Sequence, residues 1–385
     1  MVTSIYLLFS ILLSVGYVAI MWQYIQGWKE LPTWEIPKNY TPKTTISVLI
    51  PARNEGENIA NCLNAVLEQD YPDHLYEVIV LDDFSEDDTA DWVRLFQVQC
   101  CPQVQLIELR DHIRADETQS FKKKALEIGI QKAMGELIVT TDADCVVQPQ
   151  WLSLIASFYE ITDAKFIAAP VNFYQEKSSL ERFQSLDFMG MMGIAGGGIQ
   201  RNFMRMCNGA NLAYPKAVFE AVLGFEGIDK LASGDDMLLM QKVAAQYPDG
   251  IGYLKSRAAT TFTRAKPDIR SFLNQRIRWS TKSSSYREHL VTLILAMVFF
   301  FCCNILLCAF LALFVPLLWY VLLGLFAVKA IMDYWLLKQM STFFQRRDLM
   351  RSFLPAFFMH TIYIAIVGVL ANLKTTYEWK GREVR

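Results

Sequence analysis

The sequence predicts an α/β domain on a doubly wound, mostly parallel sheet with helices on both faces, together with transmembrane helices at both ends. Three observations carry this expectation. Apolar β-branched runs alternate with helical patterns between residues 45 and 141, nearly charge-free apolar blocks stand near both termini, and acidic residues cluster just after the predicted strands. In such sheets ligands bind beyond the carboxyl ends of the strands, so those acids are the first place to look for chemistry.

The elements follow in order. Residues 45–50 read as a strand, and in residues 57–68 Ile59, Leu63, Val66 and Leu67 recur at helical spacing. A strand at 77–81, a helix at 87–97, a strand at 104–108, a helix at 123–133 and a strand at 137–141 complete the alternation. There is no fixed-period repeat and no low-complexity tract.

Composition bounds the class. The 385 residues are 53% hydrophobic and 20% charged with a net charge of −2, which excludes a disordered chain, a collagen-like fibre or a small disulfide-stapled domain. That balance also gives no general reason to expect nucleic acid as a partner. The eight cysteines lack C-x-x-C spacing, and Cys302, Cys303 and Cys308 fall inside an apolar run; they read as thiols of a reducing compartment.

Residues 3–23 are almost free of charge and, at about 1.5 Å per helical residue, long enough to cross a hydrocarbon layer roughly 30 Å thick. A cleaved signal peptide is the competing reading, but Met1-Val2-Thr3-Ser4 supplies no basic start. Residues 291–337 are long enough to cross twice, with Pro316 at the turn, and 353–373 is a further candidate interrupted by Pro355 and His360. The expected organisation is an N-terminal membrane helix (1–26), a cytosolic domain (27–267), an amphipathic interfacial helix (268–290), two or three membrane helices (291–373) and a basic tail (374–385). Lys29, Lys38 and Lys43 after the first helix, and Lys338, Arg346, Arg347 and Arg351 after the third, place the domain on the cytoplasmic face of a plasma (inner) membrane. If 353–373 spans, the basic tail ends outside, against the positive-inside bias; a re-entrant or surface-lying segment keeps it inside.

Asp142 and Asp144 lie two apart on an extended segment, an arrangement able to share a hard divalent cation, although solvated turns give the same pattern. The acid-rich run from Asp82 to Asp88 contains ordinary helix caps and turn formers, but those nearest the strand end can accept from a base imide or a ribose hydroxyl. Asp235-Asp236 opens a helical pattern, where the macrodipole favours acids with or without catalysis. There is no G-x-x-x-x-G-K-[ST] and no G-x-G-x-x-G after a strand, which removes support for a kinase or dehydrogenase; the glycines at 190–198 suit a flexible loop or a packed helix. Between residues 255 and 288 stand nine Lys or Arg against two acids, with Ile269, Phe272, Leu273 and Ile277 at helical spacing, the pattern of a helix on an anionic membrane surface. Lys329 and Asp333 are one helical turn apart in the third apolar segment, and His360 reads as a packing residue.

The ordered series Pro51-Ala52-Arg53-Asn54-Glu55, Leu81-Asp82-Asp83-Phe84-Ser85, Lys122 with Ala125-Leu126, Asp142-Ala143-Asp144, Asn208-Gly209-Ala210-Asn211, Gly234-Asp235-Asp236 and Gln275-Arg276-Ile277-Arg278-Trp279 resembles the family-two glycosyltransferases. The likeness spans about residues 45–285 and implies their GT-A fold, a Rossmann-like sheet. It further implies a donor site of Pro51, Ala52, Asn54, Glu55, Asp82, Asp83, Lys122 and Asp142, with Asp83 on the nucleotide base and Lys122 on the diphosphate. By the same resemblance Asp142 and Asp144 hold a divalent metal (Mg or Mn), Asp236 beside Asp235 is the base, and Asp235 stands where the family often has Glu. Gln275, Arg278 and Trp279 match its Q-x-x-R-W motif, which serves catalysis, and Asn208 and Gly209 with Trp279 lie on the acceptor side; Phe121 departs from the glycine that often precedes the lysine. The implied function is inverting, metal-dependent transfer of a hexose from a UDP- or GDP-sugar to a hydroxyl or carboxyl of a membrane lipid. A processive polysaccharide synthase and a non-catalytic nucleotide-sugar-binding membrane protein are the alternatives. The tail Trp379-Lys380-Gly381-Arg382 resembles a terminal W-x-G-R found in members that glycosylate lipids such as carotenoids.

Overall fold

The computed structural model describes residues 2–99, 103–114, 120–229, 231, 233–281, 289–373, 377–380 and 382–384. The chain divides into two compact units, an α/β unit (32–174, 207–264 and 378–385) and a helical unit (1–31, 175–206 and 265–377).

The α/β unit is built on seven strands: β1 (Ile46–Ala52), β2 (Tyr76–Asp82), β3 (Val104–Glu108), β4 (Leu137–Thr140), β5 (Phe166–Ala168), β7 (Leu212–Pro215) and β8 (Ile251–Tyr253). They lie in the order β3-β2-β1-β4-β7-β5-β8, parallel except where β7 runs antiparallel to both β4 and β5. Every residue of β2 and nearly every residue of β1 is buried, which explains why their centres, Val48 to Ile50 and Val78 to Leu81, are continuous apolar runs instead of alternating ones. Helices α2 (Ile59–Leu67), α3 (Thr89–Gln99) and α4 (Phe121–Lys132) follow β1, β2 and β3, as the alternation predicts, with boundaries shifted by one or two residues, and α5 (Trp151–Thr162), which the sequence reading did not include, follows β4. A short parallel pair, β6 (Val171–Phe173) with β9 (Thr261–Thr263), and a ribbon of β10 (Tyr377–Trp379) with β11 (Arg382–Val384) complete its strands among the described residues, and the short helix α7 (Lys216–Ala221) follows β7.

Two registers position the functional residues. Ala52 aligns with Asp82, so β1 and β2 end level with each other. Leu212, the first residue of the antiparallel β7, aligns with Thr140, the last of β4. The residues entering β7, Asn208 to Asn211, are therefore delivered to the carboxyl end of β4, where Asp142 and Asp144 follow.

The helical unit contains α1 (Val2–Glu30), α6 (Ser179–Gln200), α9 (Ile269–Thr281), α10 (His289–Ala312), α11 (Leu318–Phe343) and α12 (Phe353–Leu373). Among the described residues, four helices are long and apolar enough to cross a membrane: the N-terminal one, the pair on either side of Pro316, and the last. The glycines at 190–198 belong to the packed helix α6. A Cβ on Gly27 would lie 2.2 Å from the Gly197 carbonyl oxygen, and one on Gly197 would lie 2.3 Å from that of Tyr24, so α1 and α6 cross backbone to backbone. This packing explains why residues 175–206 cluster with the helical unit although the sequence groups them with 27–267. On α9, Phe272 and Ile277 are buried while Ile269 is exposed, and Arg276 joins the buried face; residues 282–288, the continuation of the expected interfacial helix, lie outside the described residues. Lys329 and Asp333, one turn apart on α11, form an ion pair joined by the Tyr17 hydroxyl, and His360 Nδ1 lies 3.2 Å from Lys329 Nζ.

Candidate active site

The ends of β1 and β2 are tied together before any functional side chain is placed. Asp83 N–H donates to the Ala52 carbonyl at 2.8 Å, and the Arg53 guanidinium donates to the carbonyls of Asp83 and Phe84 at 2.8 and 2.9 Å. Asn54 and Phe84 both adopt positive φ, at 50° and 51°; Asn54 N–H donates to Ser85 Oγ and its side-chain oxygen accepts from Glu86 N–H. Asn tolerates this left-handed geometry better than most residues, while Phe84 needs the surrounding contacts to hold it there. Glu55 N–H donates to Thr89 Oγ1 at the start of α3. Pro51 lies within β1, opposite Leu81.

The neighbours Asp82 and Asp83 are separated by the pleat. Asp82 is fully buried, accepts from Ser85 N–H at 3.2 Å and lies 3.8 Å from Arg110. Its other oxygen has no hydrogen-bond partner among the described residues. Asp83 instead meets Arg382 of β11, whose Nη1 donates to both carboxylate oxygens at 2.8 and 3.0 Å. Burial raises the Asp83 pKa above the usual carboxylate value; Arg382, and then Arg53, oppose that rise without cancelling it.

The second group surrounds Lys122, in the first turn of α4. Its Nζ lies 2.8 Å from Asp142 Oδ1 and 3.2 Å from Asp235 Oδ2. Burial disfavours the ammonium, but Asp142 and Asp235 outweigh it and hold the Lys122 pKa well above the ordinary value. Gly209 sits against both partners: a Cβ there would lie 3.2 Å from Asp235 Oδ2 and 3.4 Å from Lys122 Nζ. Gly209 N–H donates to Asp236 Oδ2 at 3.3 Å, and its carbonyl accepts from Thr140 Oγ1 at 3.0 Å. Asp236 also caps α8 (Met237–Gln246), its Oδ1 accepting from Met237 N–H at 2.7 Å, and Gly234 before it has φ 87°, where a side chain would be strained. Asn208 Oδ1 accepts from Ala210 N–H at 2.9 Å and so shapes this loop.

Asp142, Asp144 and Cys145 each offer a ligand atom within 4.8 Å of the others. The Cys145 thiol is pushed up by burial and by the Asp144 and Asp142 carboxylates, which keeps it protonated. What remains is a pair of hard carboxylate oxygens, a donor set that fits Mg or Mn. The Glu55 pKa is raised by burial, lowered in part by Lys380 and raised again by Asp144, so the charges of the β1 end and the β4 end sense one another.

Sequence reasoning missed the tail's part in this arrangement. Lys380 pairs with Glu55, and its Nζ also donates to the Arg53 carbonyl at 2.7 Å. The Arg382 guanidinium lies 3.7 Å from the centroid of Phe121 and 5.6 Å from that of Phe84. The basic character of the tail and the aromatic at 121 were visible, but no local pattern pairs residues some 300 positions apart. Gln275, Arg278 and Trp279 lie together on α9 of the helical unit, with the Gln275 side-chain oxygen buried and without a hydrogen-bond partner among the described residues.

The model of Glycosyl transferase family 2 matches residues 47–223, and that of Glycosyl transferase family group 2 matches residues 137–370, more than half the chain. The chain belongs to the family-two glycosyltransferases. Glycosyltransferase AglE of Haloferax volcanii is 35% identical over 148 residues, 38% of this chain and 46% of that protein. Probable glycosyltransferase YdaM of Bacillus subtilis is 26% identical over 293 residues, 71% of this chain and 65% of that protein. The matched regions thus span less than two thirds of these relatives' own length. Among solved structures, mannosyltransferase PcManGT from Pyrobaculum calidifontis, in complex with GDP-Man and Mn2+, covers 96% of this chain and 99% of its own at a TM-score of 0.56 and 18% identity. That likeness is one of fold, and it supports the GT-A assignment of the α/β unit in this family-two member.

Proposed function

We propose that this family-two glycosyltransferase is an inverting, metal-dependent hexosyltransferase that moves a sugar from a UDP- or GDP-sugar to a hydroxyl or carboxyl of a membrane lipid, with its α/β unit in the cytoplasm. The observation that carries this reading is the convergence of Lys122, Asp142, Asp235 and Asp236 around Gly209. Three separate stretches of sequence contribute one cation and three carboxylates, and a fourth contributes Gly209, a charge arrangement suited to a nucleoside diphosphate donor.

In this reading Asp83 accepts hydrogen bonds from the base, and Asn54 and Glu55, with the backbone at Pro51 and Ala52, shape the wall beside it. Asp142 and Asp144 would hold the divalent ion. When bound, that ion supplies positive charge to the departing diphosphate. Lys122, kept charged by Asp142 and Asp235, adds to that stabilisation, the kind of preorganised electrostatics that contributes most in such reactions. Asp236 is oriented by two backbone N–H donors, Met237 and Gly209, so one carboxylate is aimed without help from a flexible side chain. It would take the proton of the acceptor as the acceptor oxygen attacks the anomeric carbon from the face opposite the leaving group, and no covalent sugar intermediate forms. Asn208 and Gly209 would border the acceptor, while Gln275, Arg278 and Trp279 would serve the diphosphate and the acceptor. The lipid assignment is supported by the four apolar helices.

The test offers labelled UDP-glucose, UDP-N-acetylglucosamine and GDP-mannose to membranes containing the full chain. Label in a chloroform-soluble lipid supports the proposal; label in a long polymer, or no transfer from any donor, rejects it.

A further inference from the structure

Arg276, inside the Q-x-x-R-W run, has no part in the reading above, yet it is among the most buried charges of the molecule. The side chains of Arg276 and Asp187 are 4% and 3% exposed, and their N–O distance is 2.7 Å. Asp187, on α6, accepts a second hydrogen bond from the Tyr363 hydroxyl of α12, also at 2.7 Å. The Arg276 guanidinium lies 4.4 Å from the centroid of Trp279, and the Trp279 ring also packs on Phe188, at 5.9 Å. Trp279 is thus braced by a cation that Asp187 holds and by the residue next to Asp187.

As a glue between helices this is an expensive device. Arg276 Nε and Nη1 are buried without a hydrogen-bond partner among the described residues, and apolar side chains of similar volume commonly serve stability as well as a buried ion pair does. What an ion pair adds is direction: the planar guanidinium, fixed by one carboxylate, has one orientation in which it can also lie over the indole. We propose that Asp187 is a positioning residue for sugar transfer, acting through Arg276 to set the Trp279 ring and the rotation of α9. This rests on the reading that Gln275, Arg278 and Trp279 take part in transfer.

The test uses the full chain in membranes, with Asp187→Asn, Asp187→Glu, Arg276→Lys, Trp279→Ala and the double variant Asp187→Asn/Trp279→Ala. Transfer from the labelled nucleotide sugars to endogenous lipid gives kcat and donor KM, binding of UDP and GDP gives nucleotide affinity, and thermal midpoints report folding. Asp187→Asn and Arg276→Lys should lower kcat about 10- to 100-fold per folded molecule, the scale of a misplaced catalytic group. UDP and GDP affinity should fall by less than kcat does, because Asp83, Lys122 and Asp142 of the α/β unit supply most of the proposed donor site and α9 adds only its motif residues on the diphosphate. Asp187→Glu should recover part of the loss, and Asp187→Asn should cost nothing further once Trp279 is alanine. Wild-type kcat in Asp187→Asn, with or without a lower thermal midpoint, overturns the inference, as do losses that multiply in the double variant. If Trp279→Ala itself keeps wild-type kcat, the assignment of the motif has failed and the positioning role falls with it.

Discussion

The Arg382 guanidinium donates to both carboxylate oxygens of Asp83, at 2.8 and 3.0 Å, joining the last strand of the chain to the end of the second. Burial already makes the Asp83 charge costly, and Arg382 is the strongest influence opposing that cost. Replacing Arg382 with Gln should therefore raise the Asp83 pKa further. The sign follows directly: if the base needs an ionised Asp83, donor binding fails as pH falls through that pKa, so the acid limb of the kcat/KM profile should move to higher pH in Arg382→Gln. A donor kcat/KM profile with an unmoved acid limb would remove Asp83 from the base subsite.

Asp236 combines a helix cap with the proposed base, and substitution can separate the two. Asparagine caps a helix about as well as aspartate, so Asp236→Asn should leave the thermal midpoint close to wild type while transfer falls by about 10² to 10⁴ and nucleotide binding persists. Asp236→Ala should lose activity and also about 1 kcal/mol of stability with the cap. Near-normal transfer by Asp236→Asn assigns the proton to another group.

Chelation should stop transfer, and added Mg or Mn should restore it. Because Asp144 is one of two hard oxygen donors in its cluster among the described residues, Asp144→Asn should raise the metal concentration needed for half-maximal transfer by at least about tenfold, the loss of one charge-bearing ligand. Titrating metal into chelator-treated membranes checks this; an unchanged half-point in Asp144→Asn excludes the carboxylate as a ligand.

The crossing of α1 and α6 tolerates no side chain at its centre. Gly197→Val would force atoms into the 2.3 Å gap to the Tyr24 carbonyl oxygen, a backbone contact that cannot swing aside. A loss of at least about 1 to 3 kcal/mol is expected. Gly324→Ala, where nothing lies within 4 Å of the added carbon, is the matched control in a thermal unfolding comparison.

The alternation of strand and helix, the apolar blocks, the Pro316 turn and the strand-end acids were all legible, because each depends on residues close in sequence. Helix α12 occupies the span read from composition, 353–373, because Pro355 falls in its first turn, where a missing N–H costs nothing, and the apolar stretch declares its own limits. The placement of residues 175–206 was not legible: a Met- and Gly-rich helix says that it packs closely but not against what. Likewise Arg276 could be counted as a surface charge of a basic helix until Asp187 was found 2.7 Å away.

The sequence by itself determined that this protein carries a family-two glycosyltransferase sheet, which residues end its strands, and that three or four segments are apolar enough for a membrane. Local periodicity and ordered motifs encode these directly. Only the tertiary structure decided that an antiparallel β7 brings Gly209 to Lys122 and Asp235, that Arg382 covers Asp83, and that Asp187 holds Arg276. Those pairings depend on strand register and helix packing, where the free energy of burial is shared among distant residues and leaves no mark at any one position.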